Sequence, residues 1–110
     1  MRVISLNLNG IRSASSKGVY PWLAMQDADL VCLQELKAQA ADLSPEMRNP
    51  PGLQGYFHYA EKKGYSGVGI YAKKPPRQII EGLGIADIDN EGRYIEAVYE
   101  ELSVVSLYLP

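Results

Sequence analysis

Four consecutive apolar residues, Leu30-Val31-Cys32-Leu33, constrain the fold of this chain more than any other part of its sequence. Successive side chains of a β-strand point to opposite faces of the sheet, so a strand formed here is apolar on both faces. Strands that are covered on both faces are typical of the interior of α/β sheets. The run therefore predicts a buried strand with a packed layer on each side.

The residues before and after this run predict the remainder of a β-α-β unit. Residues 2–8 are rich in β-branched and aliphatic side chains and end at Asn9-Gly10, which indicates a strand followed by a turn. Residues 19–26 then carry apolar side chains at helical spacing, which predicts a short helix. A second short helix is expected within residues 38–48.

The second half of the chain is rich in strand-like runs separated by Gly, Pro, Asp and Asn. These runs lie at residues 56–60, 67–73, 77–83, 93–99 and 102–109. We expect them to form an antiparallel meander, in which Glu100-Glu101 joins the last two strands as a hairpin. So many strands with so little amphipathic helix leave an apolar sheet face uncovered. The sequence therefore predicts an α/β chain that forms one part of a larger fold.

Composition excludes several classes of protein. With 110 residues, 46% of them hydrophobic, the chain is large enough for one globular domain. No apolar run approaches the roughly 18 residues of a membrane span, and the first residues lack the zones of a secretory signal. Cys32, the only cysteine, is expected to be a buried hydrophobe that suits a reducing compartment. We therefore expect a cytoplasmic protein without a membrane partner.

Charge alone does not indicate a nucleic-acid partner. The formal net charge of -2 gives no overall attraction to a polyanion. Short clusters such as Lys62-Lys63 are most simply solvated surface. A role in DNA chemistry therefore has to be argued from particular residues and motifs.

Three polar residues lie at the carboxyl ends of the two strands that are predicted to run parallel. Glu35 comes directly after the buried strand, where open α/β sheets collect their ligands, so its carboxylate is a candidate ligand of a hard metal ion. Asn7 and Asn9 share parity, so both can face Glu35 if the strands are parallel neighbours. The alternatives are a solvated loop glutamate and an ordinary Asn-Gly turn. A turn does not explain Asn7, which in a strand is expected to need a buried hydrogen-bond partner.

Two further residues that could carry chemistry favour structural interpretations. His58 alternates with aromatic residues in a strand-like run and has no carboxylate or serine at a suggestive spacing. Ser66 lies in a G-x-S-x-G pattern, which in serine hydrolases is followed by a helix. Here the residues after Gly67 continue as a strand, so a serine hydrolase is not expected. The same segment lacks the spacing of a dinucleotide or P-loop motif.

Several segments taken together resemble the exonuclease III and AP endonuclease branch of the endonuclease, exonuclease and phosphatase superfamily. They are residues 5–14, 27–39, 64–73, 91–97 and 103–110, and they occur in the family's order. The resemblance implies an α/β fold, the N-terminal half of a four-layer α/β sandwich in which two packed mixed β-sheets are flanked by helices. It also implies that residues 1–110 are the N-terminal portion of a single domain, truncated before its C-terminal half.

The resemblance assigns a metal-binding role to two of the candidate residues. Glu35 matches the metal-binding glutamate of the family's Gln-Glu motif, and Asn7 matches the asparagine that orders the catalytic site and lies at the metal. Tyr108 matches the tyrosine that reaches the scissile phosphate. The resemblance therefore implies that Tyr108 and Asn7 are catalytic, and that Glu35 and Asn7 hold Mg²⁺ or Mn²⁺.

Four more residues match positions that the resemblance places at the substrate. Tyr65 and Arg93 match positions near the DNA-facing surface. Asn9 matches a position that is Asn or Asp in the family and lies close to the metal, and Lys37 matches a basic position two residues after the metal ligand. We therefore expect substrate-binding roles for all four.

The activity implied by the resemblance is metal-dependent hydrolysis of DNA phosphodiester bonds, at abasic sites and 3′ ends of double-stranded DNA. The remaining catalytic residues of the family fall after Pro110 in its members, so we expect this monomeric chain to be inactive alone. Two alternatives remain open at this point. One is a phosphodiesterase of the same superfamily that acts on lipid or inositol phosphates, because a fold does not fix a substrate. The other is a noncatalytic module that binds DNA without cutting it.

Overall fold

The structure is a computed structural model that describes residues 1–109. Within these residues, seven strands and four short helices follow one another. In chain order they are β1 Val3–Asn7, α1 Ile11–Ser16, α2 Val19–Ala24, β2 Leu30–Gln34, α3 Pro45–Arg48, β3 Gln54–His58, β4 Val68–Ala72, β5 Gln78–Glu81, α4 Ala86–Asp89, β6 Tyr94–Val98 and β7 Ser103–Leu107. Among residues 1–109, no helix combines the length and the apolar character that a bilayer crossing requires.

The first sheet has the strand order β1-β2-β4-β3. Its β1 and β2 run parallel, with Asn7 opposite Gln34 at their carboxyl ends. Strand β4 pairs antiparallel with both β2 and β3. The predicted β-α-β unit is therefore confirmed, and the carboxyl ends of its two parallel strands lie side by side.

The second sheet has the order β5-β6-β7, and its strands are antiparallel. The prediction of one meander from Gly55 onward is therefore wrong, because β3 and β4 belong to the first sheet. Strand β4 is buried at every position and inserts beside β2. The chain then leaves this sheet at Pro75-Pro76, which lack the amide donors that a continuing ladder needs. The predicted hairpin is confirmed, and in its turn Tyr99 N donates to Leu102 O at 2.8 Å.

Two apolar clusters explain why β2 is apolar at both parities. Val31 and Leu33 pack with Ile11, Tyr20 and other residues of the helical side. The opposite face of the sheet packs against the second sheet through a separate cluster. That cluster comprises Leu30, Cys32, Val68, Ile70, Ala72, Ile95 and Ala97. The α/β class and the two packed sheets are thus as predicted, with helices, first sheet and second sheet stacked in that order.

Both predicted helices are present, as α2 and α3, whereas α1 was not predicted from the sequence. The segment after β1 forms two helices, since Gly18 adopts a left-handed φ of 91° immediately before α2. The predicted helix within residues 38–48 is present as α3, whose N-cap Ser44 accepts a hydrogen bond from Met47 N. A 3₁₀ turn at Ala40–Asp42 precedes it. These short elements cover the outer face of the first sheet.

Candidate active site

The candidate site lies where both sheets end at the same side of the molecule. Glu35 follows β2, Asn7 ends the parallel neighbour β1, and Tyr108 follows β7 of the second sheet. The two sheets are joined next to this point by Ser106, whose buried hydroxyl donates to Leu33 O at 2.8 Å. The fold therefore brings Asn7, Glu35 and Tyr108, which are far apart in the sequence, to the same edge of the molecule.

The backbone around Glu35 is held in an unusual conformation. Glu35 and Lys37 have φ angles of 55° and 50°, in the left-handed region that costs energy for residues other than glycine. On one side Gly10 N donates to Glu35 O at 2.9 Å, and on the other Lys37 N donates to Ser66 O at 2.9 Å. The side chain of Leu36 between them is fully buried. The loop is therefore fixed from both sides, which fixes the position of the Glu35 carboxylate.

The two carboxylate oxygens of Glu35 face different partners. The Tyr108 hydroxyl donates to Oε1 at 2.5 Å, and Lys37 Nζ lies 4.0 Å from Oε2. The Glu35 side chain is 20% exposed, so a ligand can still reach it. The hydrogen bond to Glu35, reinforced by burial, raises the pKa of the Tyr108 phenol above its ordinary value. The phenol therefore keeps its proton at neutral pH and remains a hydrogen-bond donor.

The two asparagines are linked to Glu35 through Lys37. Asn9 N donates to Asn7 Oδ1 at 2.9 Å, and Lys37 Nζ donates to Asn9 Oδ1 at 2.7 Å. Asn7 is exposed, so the expectation that it needs a buried partner is wrong. A local turn satisfies its side-chain oxygen instead, since Asn9 has a left-handed φ of 47°. Both residues nevertheless lie at the edge where Glu35 lies, although the turn after β1, and not strand parity, places Asn9 there.

Arg93 connects the remaining predicted residues to this group. Its guanidinium carbon lies 5.3 Å from the ring centroid of Tyr108, and its Nη2 donates to the Tyr65 hydroxyl at 2.7 Å. Its Nε donates to Glu91 Oε2 at 2.6 Å. Residues predicted from the sequence as site residues thus form one continuous chain of contacts. In order, they are Asn7, Asn9, Lys37, Glu35, Tyr108, Arg93 and Tyr65.

Sequence reasoning did not single out two residues that hold this group together. Glu91 pairs with Arg93, and the signal for it was an opposite charge two residues away. Gln34 lies between the sheets, and its Nε2 contacts Ser5 Oγ at 3.1 Å and Ser106 Oγ at 3.3 Å. The signal for Gln34 was weaker, because nothing local shows that β7 crosses there.

The two residues predicted as structural have structural contacts. Nδ1 of His58 lies 2.9 Å from Tyr94 O and connects the first sheet to the second. The buried Ser66 hydroxyl donates to Gly92 O at 3.3 Å, and strand β4 follows it where a nucleophile elbow requires a helix.

The oxygen donors at these strand ends fit a hard divalent cation. Within residues 1–109, no group of three or more His, Cys, Asp or Glu side chains is placed to hold a metal. Mg²⁺, however, is commonly held through one or two carboxylates and keeps several waters. The partly exposed Glu35 carboxylate and the amide oxygen of Asn7 on the neighbouring strand suit such an open site.

Comparison with known proteins defines the class of protein to which this arrangement belongs. The model of the Endonuclease/Exonuclease/phosphatase family matches residues 4–109, so the chain belongs to this family. It is 41% identical to a Bacillus subtilis exodeoxyribonuclease and 37% identical to a Dictyostelium discoideum DNA-(apurinic or apyrimidinic site) endonuclease. Both matches cover 100% of this chain, but only 43% and 30% of those proteins.

The fold matches solved structures of the same kind. An AP endonuclease from Archaeoglobus fulgidus aligns with a TM-score of 0.84 at 29% identity, over 100% of this chain and 42% of that protein. The chain therefore spans less than half the length of the relatives it matches.

Proposed function

We propose that residues 1–110 are the N-terminal part of the single catalytic domain of a metal-dependent DNA phosphodiesterase, of the exodeoxyribonuclease and AP endonuclease kind. Its substrate would be double-stranded DNA, cut at abasic sites and 3′ ends. The observation that carries this proposal is the contact between the Tyr108 phenol and the Glu35 carboxylate, which come from different sheets. The names of the relatives from Bacillus subtilis and Dictyostelium discoideum support the substrate.

The residue types suit the chemistry of phosphodiester hydrolysis. We propose that Glu35, with Asn7 beside it, holds Mg²⁺, or Mn²⁺ in its place. A bound divalent cation would withdraw electron density from the phosphate, which is the help that this slow reaction needs. The Tyr108 phenol would donate a hydrogen bond to a phosphate oxygen as negative charge develops there.

The proposed substrate contacts lie around these catalytic groups. The side chain of Lys37 is 43% exposed, and Asn9 fixes its ammonium group near Glu35. Tyr65 lies on the other side of Tyr108, across Arg93, where its ring can contact DNA. Lys37, Asn9 and Tyr65 would thus place the backbone of the DNA over the carboxylate.

The test uses a chimera that joins residues 1–110 to the part of the Bacillus subtilis exodeoxyribonuclease that this chain does not cover. With Mg²⁺ and a duplex that contains one abasic site, we expect the chimera to cut, and residues 1–110 alone to give negligible incision. Substituting Glu35→Gln should lower the cleavage rate by about 10³-fold, a loss typical of a group that organises transition-state charge. Glu101→Gln, in the exposed β6–β7 turn, is the matched control and should leave the rate unchanged.

Three outcomes would contradict the proposal. Robust cutting by residues 1–110 alone would show that the remaining part is not needed. Cleavage of phosphoinositides in preference to abasic DNA would point to the lipid and inositol phosphate alternative. A noncatalytic module would be indicated by two results together. The parent chimera would not cut DNA, and Glu35→Gln would bind DNA as well as the parent does. A cytoplasmic location and a monomeric state stay predictions from the sequence.

A further inference from the structure

Arg93 is predicted from the sequence as a DNA-facing residue, yet its side chain is only 8% exposed. Arginine is seldom buried unless its guanidinium is paired. Here each of the three guanidinium nitrogens has a partner within the chain. Nε donates to Glu91 Oε2 at 2.6 Å, Nη2 donates to the Tyr65 hydroxyl at 2.7 Å, and Nη1 donates to Tyr108 O at 3.4 Å.

This arrangement argues against a direct contact between Arg93 and a phosphate. Arginine recognises phosphate through two parallel N–H groups on one edge of its planar guanidinium. In this structure the Nε side pairs with Glu91, and the two terminal nitrogens are directed to Tyr65 and Tyr108. Turning the guanidinium toward DNA would break these bonds and leave the Glu91 carboxylate without its partner.

The contacts of Arg93 instead determine where Tyr108 lies. Tyr108 N donates to Arg93 O at 3.0 Å, which continues the β6–β7 pairing by one step past Leu107. The guanidinium then packs 5.3 Å from the centroid of the Tyr108 ring. Tyr108 is thus held by both the backbone and the side chain of Arg93, with its hydroxyl on Glu35.

We infer that Arg93 is a positioning residue, which orients the Tyr108 phenol toward Glu35 and aligns Tyr65 beside it without touching DNA. This inference rests on the proposed function of the site. The inference also gives Glu91 a supporting role, because its hydrogen bond with Arg93 Nε holds the guanidinium in this orientation. Misplacing a catalytic group by a small distance lowers the rate of the chemical step more than the affinity for substrate.

The test compares Arg93→Gln and Arg93→Lys in the chimera, with Arg77→Gln at an exposed arginine as the matched control. For Arg93→Gln we expect kcat to fall by about 10-fold or more, with KM and the salt dependence of DNA binding unchanged. Arg93→Lys should not restore kcat, because an ammonium group cannot bind Glu91 and both tyrosines at once. Glu91→Gln should lower kcat in the same direction by a smaller factor.

A phosphate contact would give a different pattern. In that case Arg93→Gln would raise KM with kcat unchanged, Arg93→Lys would rescue most of the loss, and the salt slope would fall by about 1. That result would overturn the inference.

A second measurement does not depend on cleavage and uses residues 1–110 themselves. With carbon-13 at the tyrosine ζ-carbons, Arg93→Gln should shift the signals of both Tyr65 and Tyr108, which Tyr65→Phe and Tyr108→Phe assign. Arg77→Gln should shift neither signal. An unmoved Tyr108 signal in Arg93→Gln would refute the positioning role, even if the parent chimera does not cut and the proposed function has failed.

Discussion

The two sheets bury their strands in different ways. In the first sheet, β4 and all but the last residue of β2 are buried, since helices cover one face and the second sheet covers the other. In the second sheet, β6 and β7 alternate, and Val105 and Leu107 on β7 are exposed. The central strands of the first sheet are therefore packed on both faces, whereas the second sheet buries one face.

The candidate site contains residues from both sheets, so the difference between the sheets also applies within the site. Glu35 stands on the well-packed sheet and is fixed by backbone hydrogen bonds on both sides of its loop. Tyr108 follows the edge strand of the second sheet, and its position depends on its contacts with Arg93 and Glu35. We conclude that Glu35, the proposed metal ligand, is the rigid part of the site, and that Tyr108 is the part most easily displaced.

The largest expected effect on stability comes from a matched pair of leucines. Leu33→Ala should lower the free energy of unfolding of residues 1–110 by about 2–5 kcal/mol, since Leu33 is fully buried and its removal leaves a cavity. Leu107→Ala should cost much less, because Leu107 is 45% exposed on the second sheet. Urea denaturation measures both changes. Equal losses would contradict the difference between the sheets.

A smaller effect is expected from the buried hydroxyl of Tyr71. It donates to Met47 O at 2.5 Å and lies 2.9 Å from the Tyr20 hydroxyl. Tyr71→Phe should therefore cost about 1–2 kcal/mol in urea denaturation at neutral pH. Tyr94→Phe, whose hydroxyl donates to Glu96 on the second sheet, should cost less.

Tyr71 also predicts how stability depends on alkaline pH. Burial, together with the bond to Tyr20, raises the pKa of Tyr71 in the folded chain, whereas the unfolded chain ionises near pH 10. Stability is therefore intact below about pH 10 and falls as the pH rises above that value, because only the unfolded state then loses the proton. Tyr71→Phe should make this decline shallower. An unchanged decline would show that another group causes it.

The smallest expected effect concerns the junction between the sheets. Ser106→Ala should cost about 1 kcal/mol, since it removes the bond to Leu33 O and the partner of Gln34. Ser103→Ala, on the exposed side of the same strand, should be close to neutral. Thermal unfolding of both variants measures the difference. If they lose equal stability, the contacts of Ser106 do not hold the sheets together.

The fold could be predicted from the sequence wherever the pattern was local. Apolar residues at both parities predicted the buried strand β2, and the expected parallel pairing of the first two strands placed Asn7 at the edge where Glu35 lies. The assignment of strands to sheets failed because β4 and β5 are similar short runs, and only tertiary packing separates them. The left-handed φ of Glu35 could not be predicted either, since glycine or asparagine is the usual signal for that conformation.

The candidate residues of the site were predicted from the resemblance, but their connections were not. The contact between Arg93 and Tyr65 joins residues from different loops, and no spacing rule indicates it. Arg93 is buried beside the rings of Tyr65 and Tyr108, with its guanidinium carbon 5.7 Å and 5.3 Å from their centroids. Arg93 was assigned to the DNA-facing surface from the resemblance alone, which does not show how deeply its side chain is buried.

A double-mutant cycle in the chimera tests most directly whether Glu35 and Tyr108 act as one site. We expect Glu35→Gln to lower kcat by about 10³-fold and Tyr108→Phe by about 10²-fold, as for groups that stabilise transition-state charge. The double variant should be little worse than Glu35→Gln, because residues that act as a unit are not additive. Losses that multiply to about 10⁵-fold would mean that the two residues act independently, which would contradict a shared site.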